Sequence, residues 1–169
     1  MGDMLRVENL TMMFGGLAAL KDVSLNVEQG ELLSVIGPNG SGKTTLFNVI
    51  TGLYVPTSGK VAFDGKDITR LSAYGIAERG LARTFQNINL FDSMTVLDNV
   101  KVGQHSATKS GVLDAVVRSG RYQKEEKETK AKAQELVEFV GLSAVSGELA
   151  KNLPYGEQKR LEIARSLAS

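Results

Sequence analysis

Gly37-Pro38-Asn39-Gly40-Ser41-Gly42-Lys43-Thr44, followed by Thr45, fits G-x-x-x-x-G-K-[ST], a loop whose backbone wraps phosphate groups. Glu31-Leu32-Leu33-Ser34-Val35-Ile36 just before it reads as a short buried strand. Leu46-Phe47-Asn48-Val49-Ile50 after it continues as a helix. Strand, glycine loop and helix start in that order form the setting the motif requires. Glycines at 37, 40 and 42 allow a tight turn with N–H groups pointing inward, an anion nest. The unpaired N–H groups and dipole of the following helix favour a polyphosphate at the same place. Lys43 would reach its β- and γ-phosphates, and the Thr44 hydroxyl would complete the coordination of Mg²⁺. The bland alternative is a glycine-rich turn before a helix, with an incidental lysine.

The rest of the composition narrows the class. The 169 residues suffice for one domain with a sizeable core. Hydrophobic content of 42% and charged content of 23% are ordinary for a globular protein. A formal net charge of +1 gives no reason to expect non-specific nucleic-acid binding. With no cysteine, disulfides and thiolate metal sites are excluded. The N-terminus lacks the apolar run of a signal peptide, and no stretch of about eighteen apolar residues occurs to span a bilayer. A cytosolic-type chain is expected, whose membrane role would require docking onto another subunit.

Leu5 to Leu10 and Val23 to Val27 alternate as half-exposed strands, suggesting a small antiparallel sheet beside a buried parallel one. Between them, Phe14-Gly15-Gly16 offers an aromatic that is either a core anchor or a stacking platform for a base. Residues 52–59 are turn-rich, and Lys60 to Phe63 reads as a strand entering a hairpin turn at Asp64-Gly65. Ser72 to Arg79 reads as a short helix stopped by Gly80, and Ala82 to Gln86 as a strand. Thr95 is the expected cap of a helix from Val96 to about Gln104. Residues 106–120 read as a loop plus a short helix. A charged surface helix should follow from about Tyr122 to Val140, with Ala133, Leu136, Val137 and Val140 inward and Gly141 ending it. His105 has no assigned role. In the last segment, Leu161, Ala164 and Ala168 make a helical stripe, and Gly156 sits in the opening turn.

Together these pieces resemble the nucleotide-binding domain of ABC transporters. Leu153-Pro154-Tyr155-Gly156-Glu157-Gln158-Lys159-Arg160 aligns with the family signature usually written L-S-G-G-Q-x-Q-R, and Leu161 to Arg165 continues the match. Gln86 matches the Q-loop glutamine, which in the family contacts the metal and attacking water. Phe14 matches the aromatic that stacks on adenine. The resemblance therefore implies an α/β P-loop NTPase fold with an antiparallel β subdomain and a helical subdomain, the latter with the Q-loop region over about 92–169. It implies ATP and Mg²⁺ as ligands, with residues 37–45 and Phe14 holding ATP and Thr44 and Gln86 on the metal. Tyr155, Gly156, Glu157 and Gln158 would face ATP bound by a partner subunit.

The subtype shows in Gly80 to Phe91, in Met94 to Val100, in Met13 to Leu20 and in the Pro154-Tyr155-Gly156-Glu157 form of the signature. These are similar to the branched-chain amino acid importer group, as is the charged insert around 106–140. That likeness implies a second homologous ATPase subunit (homo- or heterodimer), transmembrane permease subunits and, indirectly, a periplasmic binding protein. It places the chain on the cytoplasmic face of the membrane. The alternative is the ATPase of a related urea or amide importer. Two departures stand out. Pro154 and Tyr155 replace the consensus Ser and first Gly, which should weaken the contacts to the partner's ATP. The family's apolar strand ending in Asp-Glu, and with it the catalytic glutamate and the aspartate behind Mg²⁺, does not occur in these 169 residues. The expectation is a truncated piece with an incomplete core sheet that binds ATP but hydrolyses it inefficiently. The other readings are a non-hydrolysing regulatory module and a soluble phosphotransferase.

Overall fold

A computed structural model describes residues 3–84, 88–104 and 120–168, with side chains from 126 onward in the last stretch. Gln86, His105 and the loop-plus-helix expected over 106–120 lie outside the described residues, save for the backbone of Gly120. The chain forms two compact units, Met1–Leu81 and Ala82–Ser169.

The first unit is built on one antiparallel sheet. Strands β1 (Asp3–Phe14), β2 (Leu17–Glu28), β3 (Ser58–Phe63) and β4 (Lys66–Asp67) lie in the order β2-β1-β3-β4. The alternation seen at Leu5–Leu10 and Val23–Val27 thus belongs to two longer strands joined through Gly15-Gly16. The register of β1 shifts beyond Val7 against β2 and beyond Glu8 against β3. At that bulge Asn9 takes a φ of 48°. Its N–H donates to Ser24 Oγ at 2.9 Å and its Nδ2 to Asp22 Oδ1 at 2.7 Å. Local side-chain bonds thereby replace the interrupted ladder. Asp64 and Gly65, with φ of 48° and 71°, make the two-residue turn from β3 to β4 whose left-handed backbone matches the sheet twist.

Helix α1 (Lys43–Ile50) buries Leu46, Val49 and Ile50. They join Val7, Leu10, Met12, Leu20, Val61, Phe63, Ile68 and Ile76 in one core. Full burial of a side chain of this size stabilises by about 1.5–3 kcal/mol, so these contacts hold α1 in the core. Helix α2 (Ala73–Ala77) is capped by Ser72, whose Oγ accepts from the Gly75 N–H at 3.2 Å.

The expected buried strand before the loop does not form. Residues 31–36 have no regular structure, and Leu32 and Ile36 are 93% and 91% exposed. All strands among the described residues belong to the antiparallel sheet, so nothing parallel pairs with this run. Its apolar composition has no ladder to satisfy and no face to cover. The expected strand at Ala82–Gln86 is likewise irregular over 82–84, its last two residues lying outside the described set. The buried parallel sheet read from the sequence is absent among the described residues.

The second unit is helical: α3 (Val96–Gly103), α4 (Gly120–Phe139) and α5 (Tyr155–Leu167), with 3₁₀ turns at Ser143–Val145 and Ala150–Asn152. Ala133 and Val137 of α4 meet Leu161, Ala164 and Ala168 at α5 and Val96 and Val100 of α3. Leu136 and Val140 are partly buried at the margin. Thr95 caps α3 as expected: its Oγ1 accepts from the Asp98 N–H at 3.1 Å and donates to Asp98 Oδ2 at 2.7 Å. Gly103 faces α5 so closely that a Cβ there would collide with the Arg165 carbonyl oxygen.

Candidate functional site

The glycine loop lies in the first unit, and its shape follows from a few backbone constraints. The Ser41 N–H donates to the Pro38 carbonyl at 3.3 Å, closing the turn. Gly40 and Gly42 carry φ of 83° and 90°. Gly42 is also the N-cap of α1, and its carbonyl accepts the first helical bond, from the Leu46 N–H, at 2.8 Å. A Cβ at Gly42 would strike the Ala19 carbonyl oxygen of β2. The residue is therefore glycine for two reasons, its left-handed backbone and its close approach to β2.

No side chain caps α1, and no acidic residue stands in its first turn. The positive end of the helix dipole is left for an external anion. Lys43 Nζ donates to the carbonyl oxygens of Gly37 at 2.6 Å and Pro38 at 2.8 Å, and lies 3.5 Å from Ser41 Oγ. The ammonium thus sits over the loop where phosphate oxygens would replace those acceptors. Pro38, Asn39 and Thr44 are exposed, while Thr45 is half-buried. This donor set fits a polyphosphate. Among the described residues no group of three or more His, Cys, Asp or Glu could cage a metal ion. The exposed Thr44 hydroxyl suits Mg²⁺, which keeps waters and takes phosphate oxygens instead of a full protein cage.

Phe14 ends β1 with 43% of its surface exposed. It makes a T-shaped contact with Tyr54, the ring centroids 5.4 Å apart at 79°. Tyr54 was not singled out from the sequence, where residues 52–59 read only as a turn. The available signal was an aromatic in an otherwise turn-forming stretch.

In the second unit the signature residues open α5. Pro154 precedes the helix, and its carbonyl accepts from the N–H groups of Glu157 at 2.9 Å and Gln158 at 3.0 Å. Tyr155 and Gly156 are exposed, and nothing approaches the Gly156 α-carbon side. Glu157 pairs with Arg160 at 3.5 Å. Gln158 turns inward, its Nε2 donating to the carbonyls of Leu153 at 3.0 Å and Ala150 at 3.4 Å. Of the four expected contacts to a partner's ATP, Tyr155 and Gly156 are open, whereas the Gln158 amide is engaged in holding the helix start.

Asn99 has both ends of its side-chain amide engaged. It is fully buried. Its Oδ1 accepts from the Phe91 N–H at 2.9 Å, and its Nδ2 donates to the carbonyls of Thr95 at 3.0 Å, Phe91 at 3.1 Å and Met94 at 3.4 Å. The Arg165 guanidinium lies 5.5 Å from the Phe91 ring. Burial pushes the Arg165 pKa down, while Glu162 opposes that shift.

A phosphate-binding loop at a helix start, beside an antiparallel sheet and with a separate helical unit, defines a nucleotide-binding protein of the P-loop class. The ABC transporter family pattern matches residues 20–169, and the chain belongs to that family. It is 43% identical over 163 residues to the high-affinity branched-chain amino acid transport ATP-binding protein BraF of Pseudomonas aeruginosa, covering 96% of this chain and 64% of that protein. It superposes on the ADP conformation of an ATP-binding cassette of an ABC transporter with a TM-score of 0.82 at 38% identity, over 99% of this chain and 65% of that one. A dimeric cassette bound to ADP and Pi aligns with a TM-score of 0.76 at 31% identity, covering 98% of this chain and 69% of that one. The chain spans slightly under two thirds of the length of the transport relative it matches.

Proposed function

We propose that the chain is the ATP-binding part of a subunit that powers import of branched-chain amino acids through a membrane permease. The observation that carries the reading is the Lys43–glycine loop geometry at an uncapped helix start, in a chain similar along nearly its whole length to a branched-chain amino acid transport ATP-binding protein. Residues 37–45 hold the phosphates of ATP, Phe14 stacks on the base, and Thr44 with Gln86 attends Mg²⁺. Both units belong to one ATP-binding domain. Tyr155 and Gly156 face the ATP of a second ATPase subunit, a role supported by their exposure and by the dimeric cassette. No helix among the described residues is long and apolar enough to cross a membrane. Attachment to the cytoplasmic face therefore runs through permease subunits, which a periplasmic binding protein feeds. These 169 residues bind ATP but turn it over inefficiently, since they contain no apolar strand ending in Asp-Glu.

The test is uptake of labelled leucine, isoleucine and valine by cells carrying the full-length protein and its permease, with Lys43→Ala as the control. Uptake that needs ATP and is lost in the variant is the expected result. Undiminished amino acid uptake in the variant, together with lost urea or amide uptake, would move the assignment to those importers.

A further inference from the structure

Two segments that are distant in sequence meet at the tip of the β1–β2 hairpin. β1 ends at Phe14. Two residues beyond Leu17, where β2 begins, the Ala19 carbonyl fills the space beside Gly42. The hairpin tip and the phosphate loop are therefore neighbours within one unit. Tyr54 approaches from the end of α1, its N–H donating to the Asn48 carbonyl at 3.1 Å. Thr57 clips the same segment to β1: its N–H donates to the Thr11 carbonyl at 2.9 Å, and its Oγ1 accepts from the Met13 N–H at 3.0 Å. Tyr54 is thus held in place by backbone bonds on both sides.

A T-shaped contact occupies at most one face of an aromatic ring. With the centroids 5.4 Å apart at 79° and 43% of Phe14 still exposed, a flat group has access to the open side of that ring. We infer that Tyr54 is a positioning residue for the nucleobase, fixing the orientation of the Phe14 ring so that its free face takes the base of the nucleotide held by the loop. This rests on the reading of Phe14 as the base-stacking residue. A free phenylalanine at a glycine hairpin would sample several rotamers, and ordering it would cost binding energy each time. The Tyr54 ring removes that cost in advance.

Affinity for ATP and for inorganic tripolyphosphate, both with Mg²⁺, separates the two ideas when measured on the full chain by calorimetry. Phe14→Ala should weaken ATP and leave tripolyphosphate unchanged. If both ligands bind it as they bind the wild type, the stacking reading fails and the inference falls with it. Tyr54→Leu should weaken ATP about three- to tenfold and leave tripolyphosphate unchanged, while Tyr54→Phe, which keeps the ring, should bind ATP like the wild type. A selective loss in Phe14→Ala with full ATP affinity in Tyr54→Leu would overturn the role of Tyr54 alone. An equal loss of both ligands in Tyr54→Leu would also overturn it, because the residue would then be supporting the loop. The 169 residues contain no tryptophan, so Tyr54→Trp supplies a second readout. Its emission should change on adding ATP and stay constant with tripolyphosphate, and an identical response to both would contradict the inference.

Discussion

Lys43 shows what a single side chain contributes to the loop. Its ammonium bonds to two carbonyls of the loop itself, so under the proposed function incoming phosphate oxygens would exchange one set of acceptors for a charged, stronger one. Lys43→Ala should lower ATP affinity by at least about tenfold, measured by calorimetry, with little change in thermal midpoint without nucleotide. Gly42→Ala acts on the fold instead. At φ 90°, with the Ala19 oxygen in the way, it should cost about 1–3 kcal/mol, read as a lower urea midpoint. Asp67 supplies a pH dependence. The hydrogen bond from the Thr69 side chain, then that from its backbone, holds its carboxyl below the ordinary value. Its contribution to stability is therefore complete above about pH 4 and is lost as the pH falls through the lowered value. The stability difference between wild type and Asp67→Asn should be present at neutral pH and close in acid, by denaturation at a series of pH values.

At the scale of elements, the features legible from sequence were those closed by near neighbours. Thr95 capping α3 and the Asp64-Gly65 turn each involve atoms within three residues. The glycine loop was legible for the same reason. Residues 31–36 were not, because an apolar run specifies a strand only together with the partner that pairs with it. The Phe14–Tyr54 contact was also hidden, since forty residues separate the rings and only the β1–β3 pairing with the Thr57 clip brings them together. Asn99, a polar residue within α3, closes the segment from Phe91 to Thr95 onto that helix. Asn99→Ala should remove the acceptor of the Phe91 N–H and leave a gap at a fully buried position, at a cost of about 1–3 kcal/mol. Thr95→Ala, which removes only the cap, should cost about 1 kcal/mol. Urea denaturation of the two variants side by side tests that ordering.

At the scale of the whole molecule, the proposed function makes nucleotide binding and nucleotide turnover separable. The phosphate loop and its lysine are held within the first unit, while the residues resembling the signature open α5 in the second. The 169-residue chain should retain ATP on filter binding and release phosphate only slowly. Turnover equal to that of the full-length protein would show that these residues contain a complete catalytic set. In the second unit, the junction at Gly103 sets a limit on change. With the Arg165 oxygen filling the room a methyl group would need, α3 and α5 meet with no clearance. A side chain at position 103 would have to be housed by moving the helices apart, like a tooth added to a meshed gear, so substitution there becomes a change in the spacing of both helices.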